Sequence, residues 1–249
     1  MTAEEIVARL IYRDGLMLVI DKPAGLAVHK GPKGGESLED YFDALRFGLP
    51  RPPALAHRLD RDTSGCLVLG RHRKALATLG RLFKSGRVGK SYWAVVAGGP
   101  TQDEGRIDLP LGRKDATRGW WMKHDPTGQP AVTTWKVMGR TRDVAARNDP
   151  AGAASGRMDI SWLALEPLTG RTHQLRVHCA AMGWPIIGDS VYGSAPRTES
   201  PGLHLHAREV VVPLYNNRAP IRVTASVPSH MQHLLHACGW PGEVFKLVE

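Results

Sequence analysis

Short apolar runs bounded by turn residues mark the first predicted strands of the chain. Residues 16–20 are all apolar and lead into the turn-forming segment 21–25, which predicts a buried strand that ends in a turn. A second strand is predicted over 26–28, and a third over 65–69, where every residue is small or apolar. The first part of the chain is therefore expected to build a sheet.

Two segments have the spacing of amphipathic helices, with apolar residues every three or four positions. The first begins after Ser37, which is suited to an N-cap, and prolines from Pro50 onwards end it. The second follows the strand over 65–69. The apolar positions are Leu38, Tyr41, Phe42 and Leu45 in the first helix and Leu76, Leu79, Leu82 and Phe83 in the second.

Alternation of polar and apolar residues predicts half-buried antiparallel strands over 92–96, 131–137 and 159–165. The small and polar stretch 143–157 predicts a loop between two of them, and a further helix is expected to begin near Thr172. These elements predict an α+β fold with a mixed, mostly antiparallel central sheet and flanking helices. No internal repeat or linker interrupts the pattern, so we expect one domain.

The charge of the chain indicates a class of partner. Its 33 lysines and arginines outnumber its 24 acidic residues, which gives a net charge of +9, and the pI is about 9.7. A basic balance of this size favours a polyanion. Seven basic residues lie within 71–90, a stretch without acidic residues: Arg71, Arg73, Lys74, Arg81, Lys84, Arg87 and Lys90. If they share a face they would follow a phosphate backbone, and the alternative is a solvated helix surface.

Cysteine spacing and hydropathy exclude several classes of protein. Cys66, Cys179 and Cys238 are far apart and form no C-x-x-C pair, which argues against a disulfide framework or a zinc knuckle. The N-terminal segment lacks the apolar core of a signal peptide, and no segment approaches the roughly 18 apolar residues of a membrane span. We therefore expect a cytoplasmic protein with reduced, buried thiols and no membrane association.

The first candidate for chemistry is the charged segment HRLDRDTSG at 57–65, directly before a predicted buried strand. Asp60 lies between Arg58 and Arg61, and neighbouring positive charge favours the ionised carboxylate that a nucleophile or base requires. The alternative is a purely structural turn in which Asp62 caps backbone amides and Asp60 makes an ordinary ion pair.

Two further segments carry polar residues in unusual places. In LTGRTHQLRVH at 168–178, basic side chains crowd the start of the predicted helix, where the helix dipole disfavours them unless an anion such as Asp60 offsets them. In KSYWA at 90–94, an aromatic residue beside a lysine suits the stacking of a base removed from a helix. The alternative is that Tyr92 or Trp93 belongs to the core, which is the favoured interpretation for one tyrosine taken alone.

Four motifs in this order resemble those of the RluA-family pseudouridine synthases. They are DKPAGLAVH at 21–29, HRLDRDTSG at 57–65, KSYWA at 90–94, and the long match from Leu168 to Gly193 that includes IIGDSVYG at its end. They are spread over most of the chain. The resemblance implies an enzyme that isomerises specific uridines in structured RNA, ribosomal or transfer, after flipping the base out of its stack.

The resemblance also implies roles for single residues. Asp60 resembles the catalytic carboxylate, Arg171 the arginine that pairs with it, Tyr92 the tyrosine that packs on the target base, and Arg58 the residue that enters the space left by the flipped nucleotide. The residues expected to contact RNA are His57, Arg58, Arg61, Lys74, Arg81, Lys84, Lys90 and His173. The reaction needs no cofactor and no metal.

The same resemblance shapes the expected organisation. Residues 1–249 are expected to form a single catalytic domain, without an S4-like RNA-binding domain before Asp21. We expect a monomer that needs no protein partner.

Two other functions fit parts of the sequence. A non-catalytic RNA-binding module could keep the fold, although an intact Asp60 argues against it. The 11 histidines and the His204-x-His206 pair suggest a metal-dependent hydrolase, because zinc sites combine histidines with a carboxylate. His204 and His206 alternate as in a strand, however, and no H-E-x-x-H or C-x-x-C pattern accompanies them.

Overall fold

The computed structural model describes residues 1–31, 34–114, 121–145, 157–195 and 202–243. Within them lie four α-helices, one 3₁₀-helix and twelve strands. The helices are α1 (Ala3–Ala8), the 3₁₀-helix (Leu38–Leu45), α2 (Arg73–Lys84), α3 (Gln174–Ala181) and α4 (Ser229–Ala237). The strands are β1 (Leu10–Arg13), β2 (Met17–Lys22), β3 (Ala54–Leu55), β4 (Ser64–Gly70), β5 (Gly89–Ala97), β6 (Glu104–Asp108), β7 (Leu111–Arg113), β8 (Met122–His124), β9 (Val132–Ala145), β10 (Arg157–Pro167), β11 (Leu205–Val212) and β12 (Ile221–Thr224). The predicted fold class, α+β with mostly antiparallel strands, is confirmed.

The chain divides into two compact units. The first comprises Met1–Ser91 and His206–Ser226, and the second comprises Tyr92–Leu205 and Val227–Glu249. Each unit contains strands, at least one helix and its own cluster of buried apolar side chains.

In the first unit, β4 is the central strand. It pairs antiparallel with β2 along its length and with β3 at its C-terminal end, and it pairs parallel with β11 at its N-terminal end. All seven residues of β4 are buried. One face of this sheet packs against Leu79 and Leu82 of α2, which explains the apolar stripe on that helix.

In the second unit, β10 pairs antiparallel with both β5 and β9, and β9 pairs antiparallel with β6. Successive residues of β5 point to opposite faces, as the pleat of a strand requires. Tyr92, Ala94 and Val96 belong to the cluster packed around α3, whereas Trp93 and Val95 belong to the cluster packed around α4. The segment KSYWA therefore supplies both layers of this unit.

Most predicted elements are present, with three differences. No strand forms over 26–28, where only an isolated bridge joins Ala27 to Ser37. The helix after Ser37 is a 3₁₀-helix, and Ser37 is its N-cap as predicted. The predicted loop over 143–157 is strand at its two ends, and residues 146–156 lie outside the described residues.

All three cysteines are buried free thiols, as predicted. In the described parts of the chain, no helix is both long enough and apolar enough to span a membrane.

A lysine side chain is completely buried at the end of β2. Lys22 has no exposed surface, and its Nζ donates hydrogen bonds to the carbonyl oxygens of Pro23 at 2.7 Å and Arg61 at 2.8 Å. Burial lowers the pKa of Lys22 to about 8, although the negative charges of Asp62 and Asp60 act to raise it. The fold thus holds an ammonium group away from water.

The buried lysine predicts a pH-dependent stability. The unfolded chain keeps the ordinary lysine pKa near 10.5, so between about pH 8 and pH 10.5 the unfolded state binds more protons than the folded state. The free energy of unfolding should therefore rise with pH across this window, by on the order of 3 kcal/mol from this group. Urea denaturation at pH 7 and pH 10 should show that Lys22→Met lacks this increment.

Lys84→Met is the matched control, because Lys84 is exposed on α2. The difference in free energy of unfolding between Lys84→Met and the wild type should be the same at pH 7 and pH 10. If the free energy of unfolding changed equally with pH in the wild type and in Lys22→Met, the burial of a charged Lys22 would be contradicted.

Candidate active site

Asp60 lies in a tight turn immediately before β4. The backbone N–H of Thr63 donates to the carbonyl oxygen of Asp60 at 3.2 Å, which closes the turn. Leu59 is buried and anchors the segment, whereas Arg58 and Arg61 are exposed on either side of the partly buried Asp60. The turn thus offers a carboxylate between two cations, as the sequence predicted.

The segment DKPAG is joined to this turn by three hydrogen bonds, all of which involve Arg61. The carbonyl oxygen of Arg61 accepts hydrogen bonds from Lys22 Nζ at 2.8 Å and from the backbone N–H of Gly25 at 3.0 Å. The side chain of Arg61 returns a bond from Nε to the carbonyl oxygen of Gly25 at 2.8 Å. Gly25 has φ of +86°, a conformation that favours glycine. This segment therefore positions the residues next to Asp60.

Sequence reasoning missed the role of Lys22. The motif was part of the resemblance, but no function was predicted for its lysine. A signal was present, because Lys22 follows Leu18 and Ile20 at the two-residue spacing that places side chains on the same face of a strand. The structure adds Lys22 as a buried positive charge, in addition to the two arginines, that attracts the carboxylates of Asp62 and Asp60.

The strand after the turn is held by a close contact with β11. Gly65 has φ of +104°, and a Cβ atom there would lie 2.3 Å from the carbonyl oxygen of Ala207. The buried hydroxyl of Ser64 lies 2.9 Å from Nδ1 of His206. Replacement of Gly65 by any other residue would both strain the backbone and push β11 away, so the glycine fixes the strand that carries the turn.

His57 is held inside the first unit. Its ring stacks on Phe83, with the centroids 4.4 Å apart, and its Nε2 accepts a hydrogen bond from the backbone N–H of Val68 at 3.0 Å. Burial, and then the charge of Lys90, lowers the pKa of His57 to about 3. The imidazole is therefore neutral near pH 7 and adds no positive charge. Its contact with RNA stays a prediction.

In the second unit, Tyr92 and Arg171 lie at the same end of the β5–β10 pair. Tyr92 is opposite Leu165, near the end of β10, and Arg171 follows that strand after a short turn. Tyr92 is partly buried against the α3 cluster. Arg171 is exposed, its backbone N–H donates to Oε1 of Gln174 at 3.0 Å, and its Nε donates to the carbonyl oxygen of Pro130 at 3.1 Å. These bonds fix the turn that presents the guanidinium group.

The start of α3 has an unusual backbone conformation. His173 is the N-cap residue and has φ of +53°, which is uncommon for a residue with a side chain. Its Nδ1 lies 2.8 Å from the hydroxyl of Tyr192, and that hydroxyl accepts a bond from the backbone N–H of Met122 at 3.0 Å. Tyr192 thus holds His173 in place and is itself held by the segment that contains Met122.

A buried ion pair lies behind this turn. Both Arg176 and Asp189 are almost completely buried, and the guanidinium group donates to the two carboxylate oxygens at 2.8 Å and 2.7 Å. Burial acts to raise the pKa of Asp189, but the bonds from Arg176 and from two backbone N–H groups lower it overall. The sequence suggested Asp60 as the anion for this basic segment, and for Arg176 the anion is Asp189.

The basic run over 71–90 is only partly a surface. The exposed members are Arg73, Lys74, Arg81, Lys84 and Arg87. Arg71 turns inward and donates to the backbone carbonyl oxygens of Asp14 at 2.8 Å and Phe47 at 3.1 Å. Lys90 is partly buried, and burial lowers its pKa. The predicted cationic surface therefore consists mainly of residues on and just after α2.

The His204-x-His206 pair does not present its two rings together. His204 faces its own backbone turn, with Nδ1 3.0 Å from the carbonyl oxygen of Gly202, and its ring meets that of His230 edge to face. His206 is paired with Ser64. Among the residues that the structure describes, no group of three or more histidine, cysteine, aspartate or glutamate side chains is arranged to hold a metal ion.

Comparison with known proteins identifies the family. A profile described as RNA pseudouridylate synthase matches residues 16–181. An RNA pseudouridine synthase of Zymomonas mobilis is 40% identical over 225 residues, which cover 90% of this chain and 95% of that protein. A mitochondrial pseudouridylate synthase of Xenopus tropicalis is 30% identical over 256 residues, which cover 90% of this chain and 78% of that protein.

A solved structure with a similar fold points to the same family. The human RNA pseudouridylate synthase domain containing 4 matches the fold with a TM-score of 0.74 and 26% identity, over 95% of each chain. The resemblance predicted from the four motifs is thereby confirmed. Since the profile covers two thirds of the chain and the relatives cover nearly all of it, the chain belongs to the RluA-type family of RNA pseudouridine synthases, which are isomerases that act on RNA.

Proposed function

We propose that the enzyme isomerises specific uridines in structured ribosomal or transfer RNA, and that Asp60 is the catalytic carboxylate. The bond between N1 and C1′ of the target nucleotide breaks, the uracil rotates, and C5 bonds to C1′. The C5 proton then leaves and N1 is protonated, so product and substrate have the same composition. No external group or redox partner is required, and residues of the protein suffice.

The assignment of Asp60 rests on how firmly its turn is fastened. A buried ammonium group and a backbone N–H converge on the carbonyl oxygen of Arg61, next to Asp60. The positive charge of Lys22 also attracts the carboxylate of Asp60. Attack on the sugar and removal of a proton from C2′ both require a carboxylate that is held in place, so the turn serves either route.

Tyr92 and Arg171 complete the proposed catalytic set. Tyr92 supplies an aromatic face for the target base, and Arg171 supplies a rigid cation to stabilise negative charge. Flipping the nucleotide costs a few kcal/mol of stacking and pairing, which Arg58 offsets by occupying the space that the base leaves. We also propose that residues 1–249 form a single catalytic domain.

The remaining partner assignments follow from surface chemistry. The exposed cations of α2, with Arg61 and Lys90, are proposed to hold the RNA backbone, and His57 and His173 to contact the RNA near the target. We propose a monomer in the cytoplasm, where three buried thiols would stay reduced.

Replacement of Asp60 by asparagine should remove isomerisation while the protein still binds RNA. The asparagine side chain keeps the shape of aspartate and lacks its charge, so we expect the rate to fall by roughly three orders of magnitude or more. The measurement is pseudouridine mapping of total RNA from cells that lack the gene and carry either the wild-type or the Asp60→Asn gene. The positions modified only with the wild type would also identify the target RNA.

Asp62→Asn is the matched control, because Asp62 is a neighbouring exposed carboxylate that also attracts Lys22. It should keep the modified positions. Parental activity in Asp60→Asn would refute the assignment, and a wild type that binds structured RNA without modifying it would favour a non-catalytic binding module.

Replacement of Arg171 by alanine should slow chemistry more than binding. The guanidinium group is exposed, and the bond from the backbone N–H of Arg171 to Gln174 remains when the bond from Nε to Pro130 is lost, so the fold should tolerate the change. We expect the single-turnover rate to fall about 10²-fold, with the affinity for RNA changed by no more than a few-fold. Arg171→Lys should recover part of the rate because it keeps the charge. A loss of affinity that matches the loss of rate would show a binding role instead.

Removal of three charges from α2 should weaken binding without slowing the bound reaction. In the triple variant Lys74→Gln, Arg81→Gln and Lys84→Gln, the dependence of log affinity on log salt should fall by roughly 0.7 to 0.9 for each lost phosphate contact. Filter binding at several salt concentrations measures this slope.

A triple variant with the same change in charge provides the control. Arg106, Lys136 and Arg142 are exposed on strands of the second unit. Their replacement by glutamine should reduce the slope less than the α2 variant does. Equal slopes for the two triple variants would make α2 an ordinary solvated surface.

A further inference from the structure

A cavity lies in the first unit at the end of β4 that is remote from Asp60. Its volume is about 350 Å³, within the range of ligand-binding pockets. The apolar part of the wall is formed by Leu49, Pro50, Pro52, Ala54 and Leu76. Gly70, at the end of β4, also lines the cavity, and a Cβ atom there would be 2.8 Å from Cα of Leu76. The wall of the cavity is thus largely apolar.

Three arginines and a histidine also line the cavity. Arg51, His72 and Arg73 are exposed at the rim, and Arg71 is partly buried. Of the described residues that line the cavity, none is acidic. The rim also includes the N-terminus of α2, where the helix dipole is positive and the first turn carries no acidic residue.

Arg71 is the arginine of the lining that is held rigidly. Arg71 donates from Nη1 to the carbonyl oxygen of Asp14 and from Nη2 to that of Phe47, so its guanidinium group is held by two segments of backbone. Arg51 and Arg73 are exposed and remain able to meet a ligand at the mouth. Apolar walls with a cationic, carboxylate-free rim suit a flat ring that carries a phosphate.

We propose that this cavity binds a second nucleotide of the substrate RNA, outside the target uridine. The base would enter between Leu76 and the prolines, and its phosphate would meet Arg51 and Arg73. This inference rests on the proposed function, because it presumes an RNA substrate. An apolar peptide would fill the same walls but would leave the cationic rim without a counter-charge, so charge complementarity favours RNA.

The position of the cavity agrees with one RNA chain reaching both places. From Ser64, beside the Asp60 turn, to Gly70, at the cavity, the chain is a single extended strand of about 20 Å. A structured RNA that places its target uridine at Asp60 extends well beyond that distance. A second contact on the same rigid strand would fix the register of the RNA relative to Asp60.

Crosslinking locates the nucleotide directly. The probe is a single-stranded RNA of about 12 uridines that contains 4-thiouridine, and the crosslinked peptides of the full chain are identified by mass spectrometry. We expect crosslinks within 49–54 or 71–76 in the wild type. The Ala54→Phe variant, which fills the cavity without changing charge, should lose them while it keeps the wild-type circular dichroism spectrum.

Affinity measurements with the same probe separate charge from shape. Arg51→Glu should weaken binding about tenfold more than Arg218→Glu, a charge reversal of equal size at an exposed residue that does not line the cavity, and it should lower the salt slope by roughly 0.7. Ala54→Phe should weaken binding with the slope unchanged, because no phosphate contact is lost.

The outcomes distinguish this inference from the proposed function. If the wild type forms pseudouridine in total RNA but the cavity gives no crosslink and Arg51→Glu behaves as Arg218→Glu does, the inference is wrong and the function stands. If the cavity binds an apolar peptide instead, Ala54→Phe will bind RNA as the wild type does, which also overturns it. If the cavity gives crosslinks but the protein modifies no uridine, the binding of a nucleotide in the cavity is supported and the proposed function is refuted.

Discussion

The buried ammonium group of Lys22 is the constraint on which the candidate active site depends. A charge removed from water must be met by polar groups, and here the carbonyl oxygens of Pro23 and Arg61 accept its hydrogen bonds while two carboxylates supply the opposite charge. Since those groups belong to two loops that are distant in sequence, solvation of one side chain fixes both loops. If the turn that carries Asp60 moved, the buried ammonium group of Lys22 would lose the carbonyl oxygen and the carboxylates that solvate it. The turn is therefore rigid.

Periodicity predicted the elements whose residues bury one or both faces, such as β4 and α2, because burial leaves a pattern in the sequence itself. It failed over 26–28, where the residues are apolar but no neighbouring strand accepts their hydrogen bonds, and only a single bridge to Ser37 forms. A strand depends on its partner as much as on its own residues, and pairing is decided by the tertiary fold. The 3₁₀ geometry after Ser37 could not be predicted either, because the spacing of its apolar residues also fits an α-helix.

The types of residue at the candidate site could be predicted, whereas their partners could not. A carboxylate between arginines was evident in HRLD, but the lysine that joins this turn lies 39 residues from its acceptor Arg61. The anion that meets Arg176 is Asp189, and Arg71 turns to backbone carbonyl groups although it belongs to a basic run. Charge in a sequence shows that a counter-charge is needed. Only the packing of the chain determines whether a carboxylate, a carbonyl oxygen or a phosphate provides it.

The first unit separates the groups that would hold RNA from the group that would react with it. The exposed cations of α2 stand in solvent, where each contributes a modest and salt-dependent attraction to phosphate. The Asp60 turn is instead fixed by partly buried hydrogen bonds, which salt screens much less. Affinity for RNA can therefore change through surface residues without moving the carboxylate, and β4 links the two regions because it runs from the turn to the start of α2. If Asp60 is the catalytic residue, a rigid strand between it and the proposed binding surface would let the energy of backbone contacts be used to extract one nucleotide.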